Sequence, residues 1–240
     1  MKDVVIVGAL RTPIGCFQGA LSRHSAVELG SVVVKALVEK TGIDPHSVDE
    51  VILGQVLTAG TGQNPARQSA IRGGLPNTVS AITINDVCGS GLKALHLATQ
   101  AIQCGEADVV IAGGQENMSR APHVLTDSRT GAQLGNSQLI DSLVHDGLWD
   151  AFNDYHMGVT AENLPGNLAS VASCRTPGRS AHSIRRARRL IPVAFAMRSS
   201  RLSPSITARR APWIPMNNRG WMPARKGWPA CSPPSIALDR

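Results

Sequence analysis

The chain has 240 residues, 42% of them hydrophobic and 17% charged, enough to bury a sizeable core as one large domain or two smaller ones. Five cysteines (Cys16, Cys88, Cys104, Cys174 and Cys231) are odd in number and form no CxxC pair, which argues against a disulfide framework or a zinc site and makes a reducing cytoplasm the plain setting. No apolar stretch approaches the roughly 18 residues of a membrane span, and the opening MKDVVIVGALRT has no small-residue cleavage site, so it reads as a buried strand and not a secretory signal.

The net charge of +7 conceals two unlike regions. Residues 1–164 carry 10 Lys and Arg against 16 Asp and Glu, a balance of −6, whereas 165–240 carry 14 against one acid, Asp239, a balance of +13. Thirteen of those 14 basic residues are Arg. Such asymmetry ordinarily raises a nucleic-acid or acidic partner.

Up to Asn163 the pattern is that of an α/β protein. Val4–Ala9 is a continuous apolar run ending near Gly8, as in a strand covered on both faces. Ser25–Thr41 repeats apolar residues at three- and four-residue spacing and predicts an amphipathic helix closed by Gly42. Val48–Leu57 is the next strand, followed by the Gly-rich loop TAGTGQNPAR and a helix over Arg67–Gly73. Ser80–Asp86 alternates β-branched and small residues and predicts a strand running into Cys88. Gly89–Gly105 predicts a helix, and Ala107–Ser119 a last strand with a polar turn. This alternation argues for a layered αβα sheet over 1–119. From Arg120 to Leu164 the sequence is rich in Gly, Asp, Asn and His, and reads as an inserted region of loops and short helices. Over 165–240, Arg, Pro, Ser and Trp without apolar periodicity predict an irregular or disordered tail.

The chemistry concentrates in Asn85–Leu95, NDVCGSGLKAL. Cys88 stands between a strand and a helix whose first turn is Gly-rich. The thiolate is the nucleophilic form of cysteine, and a helix N-terminus favours negative charge through its aligned peptide dipoles and unpaired N–H groups. Gly89 and Gly91 permit a thioester to approach the backbone, where N–H groups could support an oxyanion. The arrangement is like a hydrolase nucleophile elbow with Cys in place of Ser. A buried, inert cysteine is the plain alternative. Cys104, at the far end of the same helix, reads as structural. His24, His46, His96, His123 and His145 show no metal-ligand spacing. TAGTGQNPAR does not match GxxxxGK[ST], which argues against a phosphate loop.

Five segments in order, VVIVGALRTPIG, GQVLTAGTGQNPARQSA, INDVCGSGLKALHLA, ADVVIAGGQENMSRAPH and YHMGVTAEN, resemble the biosynthetic and degradative thiolases over roughly 1–164. The resemblance implies a coenzyme A-dependent acyltransferase in which Cys88 accepts the acyl group and its backbone N–H serves an oxyanion hole. It implies that Leu148, His156 and Met157 line the pantetheine channel, and that Asn85 and Val87 flank the nucleophile. Region 120–164 is then part of a CoA-binding and tetramerisation loop. The acyl-CoA thioester is the substrate, no further cofactor or metal is implied, and the assembly is a homodimer or homotetramer without a membrane partner. Ketoacyl synthases share a Cys nucleophile, but GQNPARQ and YHMGVTAEN favour the thiolases.

The same resemblance implies a histidine in a GHP-like motif, a second cysteine in a CxGGG-like motif and an asparagine in an NEA-like motif. None of these occurs in the 240 residues. After AENL the text departs from thiolase-like sequence. One missing base near Leu164 accounts for the departure: codons for PGNLASVASCRT can yield GKLGISRELQD in the neighbouring frame, and those for PVAFAMRSSRLSP can yield GRFRDEIVP. The alternative is a non-catalytic thiolase-derived module whose basic, Trp-bearing tail binds nucleic acid, although no nucleic-acid-binding fold pattern accompanies the charge. Sequencing the gene through codon 164 tests the shifted frame: a neighbouring frame encoding thiolase-like text is expected, and its absence sinks the idea.

Overall fold

In the computed structural model, residues 3–131, 134–167 and 193–199 are described. The elements in chain order are β1 (Val4–Arg11), α1 (Ala26–Thr41), β2 (Glu50–Gly54), α2 (Pro65–Arg72), β3 (Ser80–Ile84), α3 (Ser90–Cys104) and β4 (Val109–Gly114). Short pieces follow: β5 (His123–Val124), β6 (Ile140–Asp141), α4 (Ser142–Gly147), β7 (Trp149–Asp150) and β8 (Tyr155–His156). The last two are α5 (Met157–Asn167) and β9 (Val193–Ser199). Strands are shorter than the apolar runs suggest at β2, β3 and β4, which end at Gly54, Ile84 and Gly114; the Gln55 and Gln115 N–H groups still donate to Ile84 O and Gly54 O, both at 2.9 Å.

The main sheet has the order β1-β9-β4-β2-β3. β2 pairs in parallel with both neighbours, Gly54 lying opposite Ile84 on one side and Gly114 on the other. Period-two alternation divides the core. Val51, Leu53, Val109 and Ile111 face one way, joining Val33, Val34 and Leu37 of α1 and Ala66 and Ala70 of α2. Ile52, Val110 and Ala112 face the other way, against Ala94, Ala98 and Ile102 of α3. The result is the expected αβα layering. Each fully buried aliphatic side chain contributes roughly 1.5–3 kcal/mol, so these two sets define the stable part of the molecule.

Local signals explain the helix ends. Ser25 Oγ accepts from the Glu28 N–H at 3.1 Å while Glu28 Oε2 accepts from the Ser25 N–H at 2.7 Å, a reciprocal cap on α1. Gly42 closes that helix at φ 66°, donating to the Val38 carbonyl, a conformation glycine adopts without a Cβ penalty. The QNPAR segment acts within the chain. Asn64 Oδ1 accepts from the Arg67 N–H, Asn64 Nδ2 donates to Ala81 O at 2.9 Å, and the Arg67 guanidinium donates to the carbonyls of Asn77 and Val79. Together these tie α2 to the edge strand β3.

One element departs from the expectation for the tail. The sequence reading leaves 165–240 without regular structure, yet Val193–Ser199 forms β9, antiparallel to β1 and to β4 and lying between them. The reason is local: VAFAM is a run of five apolar residues, long enough for a strand and concealed by its Arg-rich surroundings. Ala196 is 1% exposed within the α1/α2-side core. The rest of the tail expectation falls on residues outside those described. Ala196→Asp, which places a carboxylate in this core, is expected to cost about 3 kcal/mol. Amide hydrogen exchange should show β1 losing protection before β2 and β3; equal loss across the sheet would show that β9 is not what holds β1.

Candidate active site

The parallel strands β2, β3 and β4 deliver their C-terminal ends to one edge, and the Asn85–Ser90 turn crosses that edge. There the chain leaves β3, reverses, and enters α3. Val87 adopts φ 45°, a left-handed conformation that is an outlier for a β-branched residue. Strain of this kind costs on the order of 1–3 kcal/mol and persists only where the surroundings impose it. Cys88 follows directly and its side chain is exposed. The residue at the N-terminal cap of α3 is Gly89, and no side chain caps the helix there. An accessible thiol therefore stands at an open helix N-terminus, immediately after a strained residue; the strand–helix junction is what the NDVCGSG segment predicts, and the strain is not.

Several groups pin this turn. The Val87 N–H donates to Asn85 Oδ1 at 2.9 Å, and the Gly89 N–H donates to Asp86 O at 2.9 Å. Ser90 Oγ accepts from the Asp86 N–H at 2.9 Å and donates to Val87 O at 2.6 Å. Beneath the turn, a Cβ on Gly54 would lie 2.5 Å from Ser90 Cβ and 2.7 Å from its carbonyl carbon. Only glycine admits that approach. Sequence reasoning passed over both Ser90 and Gly54. The available signal was the serine at the second position after Cys88, a residue type that readily bonds backwards to nearby backbone.

Leu148, His156 and Met157 are brought together by a hairpin. Trp149 pairs with His156 across β7 and β8, and the Met157 N–H donates to Leu148 O at 2.8 Å. His156 Nδ1 accepts from the Gly158 N–H at 2.9 Å, so the neutral ring carries its proton on Nε2. Leu148 and His156 are half-buried, and Met157 is 40% exposed. No hydrogen bond joins these three residues to Cys88 among the described residues. The helix α4 that leads into the hairpin approaches the segments that follow β2 and β4. Ser142 Oγ donates to Pro122 O at 2.6 Å, and a Cβ on Gly147 would touch Leu57 at 3.5 Å.

Leu57 is itself held by a group the sequence did not single out. Glu116, just beyond β4, accepts from the N–H groups of Val56 at 2.8 Å and Leu57 at 3.1 Å. Burial pushes its carboxyl above the ordinary glutamate value, partly opposed by hydrogen bonds from the backbone N–H groups of Leu57, Val56 and Asn117. It borders a cleft of about 220 Å³ that Arg72 and Gln68 also line. Below it runs a buried chain of amides: Ser69 Oγ donates to Gln115 Oε1 at 2.6 Å, Gln115 Nε2 to Gln55 Oε1 at 2.9 Å, and Gln55 Nε2 to Leu57 O at 3.0 Å. Satisfied networks of this kind fix a single arrangement. Cys104 is exposed at the last residue of α3, away from the turn. Among the described residues no three His, Cys, Asp or Glu side chains converge as a metal-ligand set, and no helix is long and apolar enough to cross a membrane.

The family model of the thiolase N-terminal domain matches residues 4–170. The chain belongs to the thiolase family. A probable acetyl-CoA acetyltransferase of Escherichia coli strain K12 is 90% identical over 164 residues, which are 68% of this chain and 42% of that thiolase relative. An acetyl-CoA acetyltransferase of Pseudomonas aeruginosa is 65% identical over 164 residues, with the same shares. One from Thiocystis violacea is 54% identical over 208 residues, 82% of this chain and 53% of the relative. The chain thus spans about half or less of the length of these thiolase relatives.

The Glu116 environment has a measurable consequence. A carboxyl whose value is raised by folding adds stability that is fully present below the unfolded-state value, about 4.3 for glutamate, and is lost as pH rises through the raised one. Glu116→Gln keeps an acceptor for Val56 and Leu57 and removes the titration. Calorimetric unfolding between about pH 4 and 8 should show the native chain losing stability relative to this variant as pH increases. Parallel pH profiles would refute the assignment.

Proposed function

We propose that this chain carries the acyl-accepting half of a thiolase reaction, with Cys88 as the nucleophile. The observation that carries the reading is the turn itself: an exposed thiol, after a strained Val87, at the uncapped N-terminus of α3. The substrate is an acyl-CoA thioester, acetyl-CoA being the simplest case, in keeping with the names of the relatives. The Cys88 thiolate attacks the thioester carbonyl carbon. The negative charge passes to the carbonyl oxygen, where the Cys88 backbone N–H donates to it. Collapse of that intermediate breaks the carbon–sulfur bond to CoA, releases the CoA thiolate and leaves the acyl group on Cys88. Leu148, His156 and Met157 line the path of the pantetheine arm, which accounts for an exposed methionine beside a half-buried histidine on one hairpin.

The second stage is either condensation with the α-carbon of another acetyl-CoA or, in reverse, thiolysis of a 3-ketoacyl-CoA. It needs a base at that carbon, and the CxGGG-like motif that would supply it does not occur in the 240 residues; the GHP-like histidine that would speed the first stage by activating Cys88 is absent from them as well. We therefore assign this chain the first stage and not turnover, and take residues 165–240 as text from a shifted frame. Incubation with acetyl-CoA followed by peptide mass spectrometry is expected to find an acetyl thioester on Cys88, with CoA released in equal amount and none of either from Cys88→Ser. Acetoacetyl-CoA thiolysis is expected to stay at background. Acetylation that persists in Cys88→Ser would overturn the nucleophile assignment, and family-like thiolysis rates would overturn the restriction to one stage.

A further inference from the structure

We propose that Ser90 is a positioning residue for Cys88: its hydroxyl clamps the strained Val87 backbone and so sets where the thiol stands. The inference rests on the proposed acylation of Cys88 and deepens it. Ser90 is 5% exposed, one of few buried polar side chains among the described residues. Its oxygen accepts from the Asp86 N–H at 2.9 Å and donates to the Val87 carbonyl at 2.6 Å. Those two groups lie on either side of the Val87 N–Cα bond, so the hydroxyl brackets the very torsion that sits at φ 45°. The Ser90 N–H also donates to Val87 O, at 3.2 Å.

The clamp is anchored rather than floating. Ser90 rests on β2 at Gly54, where any side chain would collide with its Cβ and carbonyl carbon. Gly91 lies over β4 more loosely, a Cβ there falling 3.9 Å from the peptide between Gly113 and Gly114. The serine oxygen is therefore held by the sheet, and the turn is held by the serine. A β-branched residue gains by relaxing to negative φ, and such a relaxation at Val87 would rotate the peptide leading into Cys88 and carry the thiol away from the α3 N-terminus. The hydroxyl opposes that relaxation. An ordinary serine bonding backwards at a helix start would contribute only a little stability and would have no particular coupling to Val87.

The distinction is testable in the full-length chain with Ser90→Ala, Val87→Gly and the double variant. Glycine holds positive φ without strain, so it makes the clamp unnecessary. The probe is iodoacetamide at neutral pH, with the alkylation rate of Cys88 divided by that of Cys104 in the same molecules as an internal reference for general loosening. In the parent chain Cys88 is expected to react faster than Cys104. Ser90→Ala is expected to lower the ratio about tenfold in the valine background and by no more than about twofold in the glycine background, a coupling that a purely structural role would not produce. Should Ser90→Ala fail to fold, recovery of the folded chain by added Val87→Gly supports the clamp, and no recovery overturns it. A ratio unchanged by Ser90→Ala, or lowered equally in both backgrounds, overturns the role of Ser90 while leaving a fast Cys88 in place. A parent Cys88 no faster than Cys104 overturns the nucleophile reading, and this inference with it.

Discussion

The parallel pairing of β2 with β3 and β4 governs the rest of this structure. It aligns Gly54, Ile84 and Gly114 at one edge of the sheet, and the chain that leaves Ile84 must turn over the other two strand ends to enter α3. Two glycines beneath the turn let α3 begin almost in contact with the sheet. The turn between strand and helix is short, and one of its residues takes a left-handed conformation. That residue is Val87. The strain beside Cys88 thus sits in a turn confined by how the sheet is paired.

A second set of interactions carries the sheet edge outward. Glu116 gathers the Val56 and Leu57 amides, the Gln55, Gln115 and Ser69 side chains fix the strand ends from below, and Leu57 meets the Gly147 end of α4. The hairpin that groups Leu148, His156 and Met157 follows from there. A carboxyl that burial pushes above the ordinary glutamate value and a chain of buried amides are expensive features for a core, and both attach to the Val56–Leu57 segment that follows β2.

Residues 193–199 show how a core can recruit a strand from text that has no other regularity. The gap between β1 and β4, both running the same way, accepts an antiparallel strand, and a five-residue apolar run occupies it with Ala196 fully covered. The layered αβα arrangement of the first 119 residues thus includes one strand from far along the chain. Membership of the thiolase family rests on residues 4–170, and the strand lies beyond them.

By itself the sequence determined the features that depend on neighbours along the chain. The strand and helix alternation, the capping of α1 by Ser25, Glu28 and Gly42, and Cys88 at a strand–helix junction are all local, and each is recorded in residue type and spacing. Leu148, His156 and Met157 came from the family resemblance, since nothing in their own periodicity marks them. What only the tertiary structure decided involves residues brought together from distant positions: Gly54 under Ser90, Glu116 on the Val56 and Leu57 amides, and β9 between β1 and β4. The left-handed Val87 belongs with these. Valine is a poor choice for that conformation, so no local signal announces it; the sheet, the helix and one serine hydroxyl impose it together.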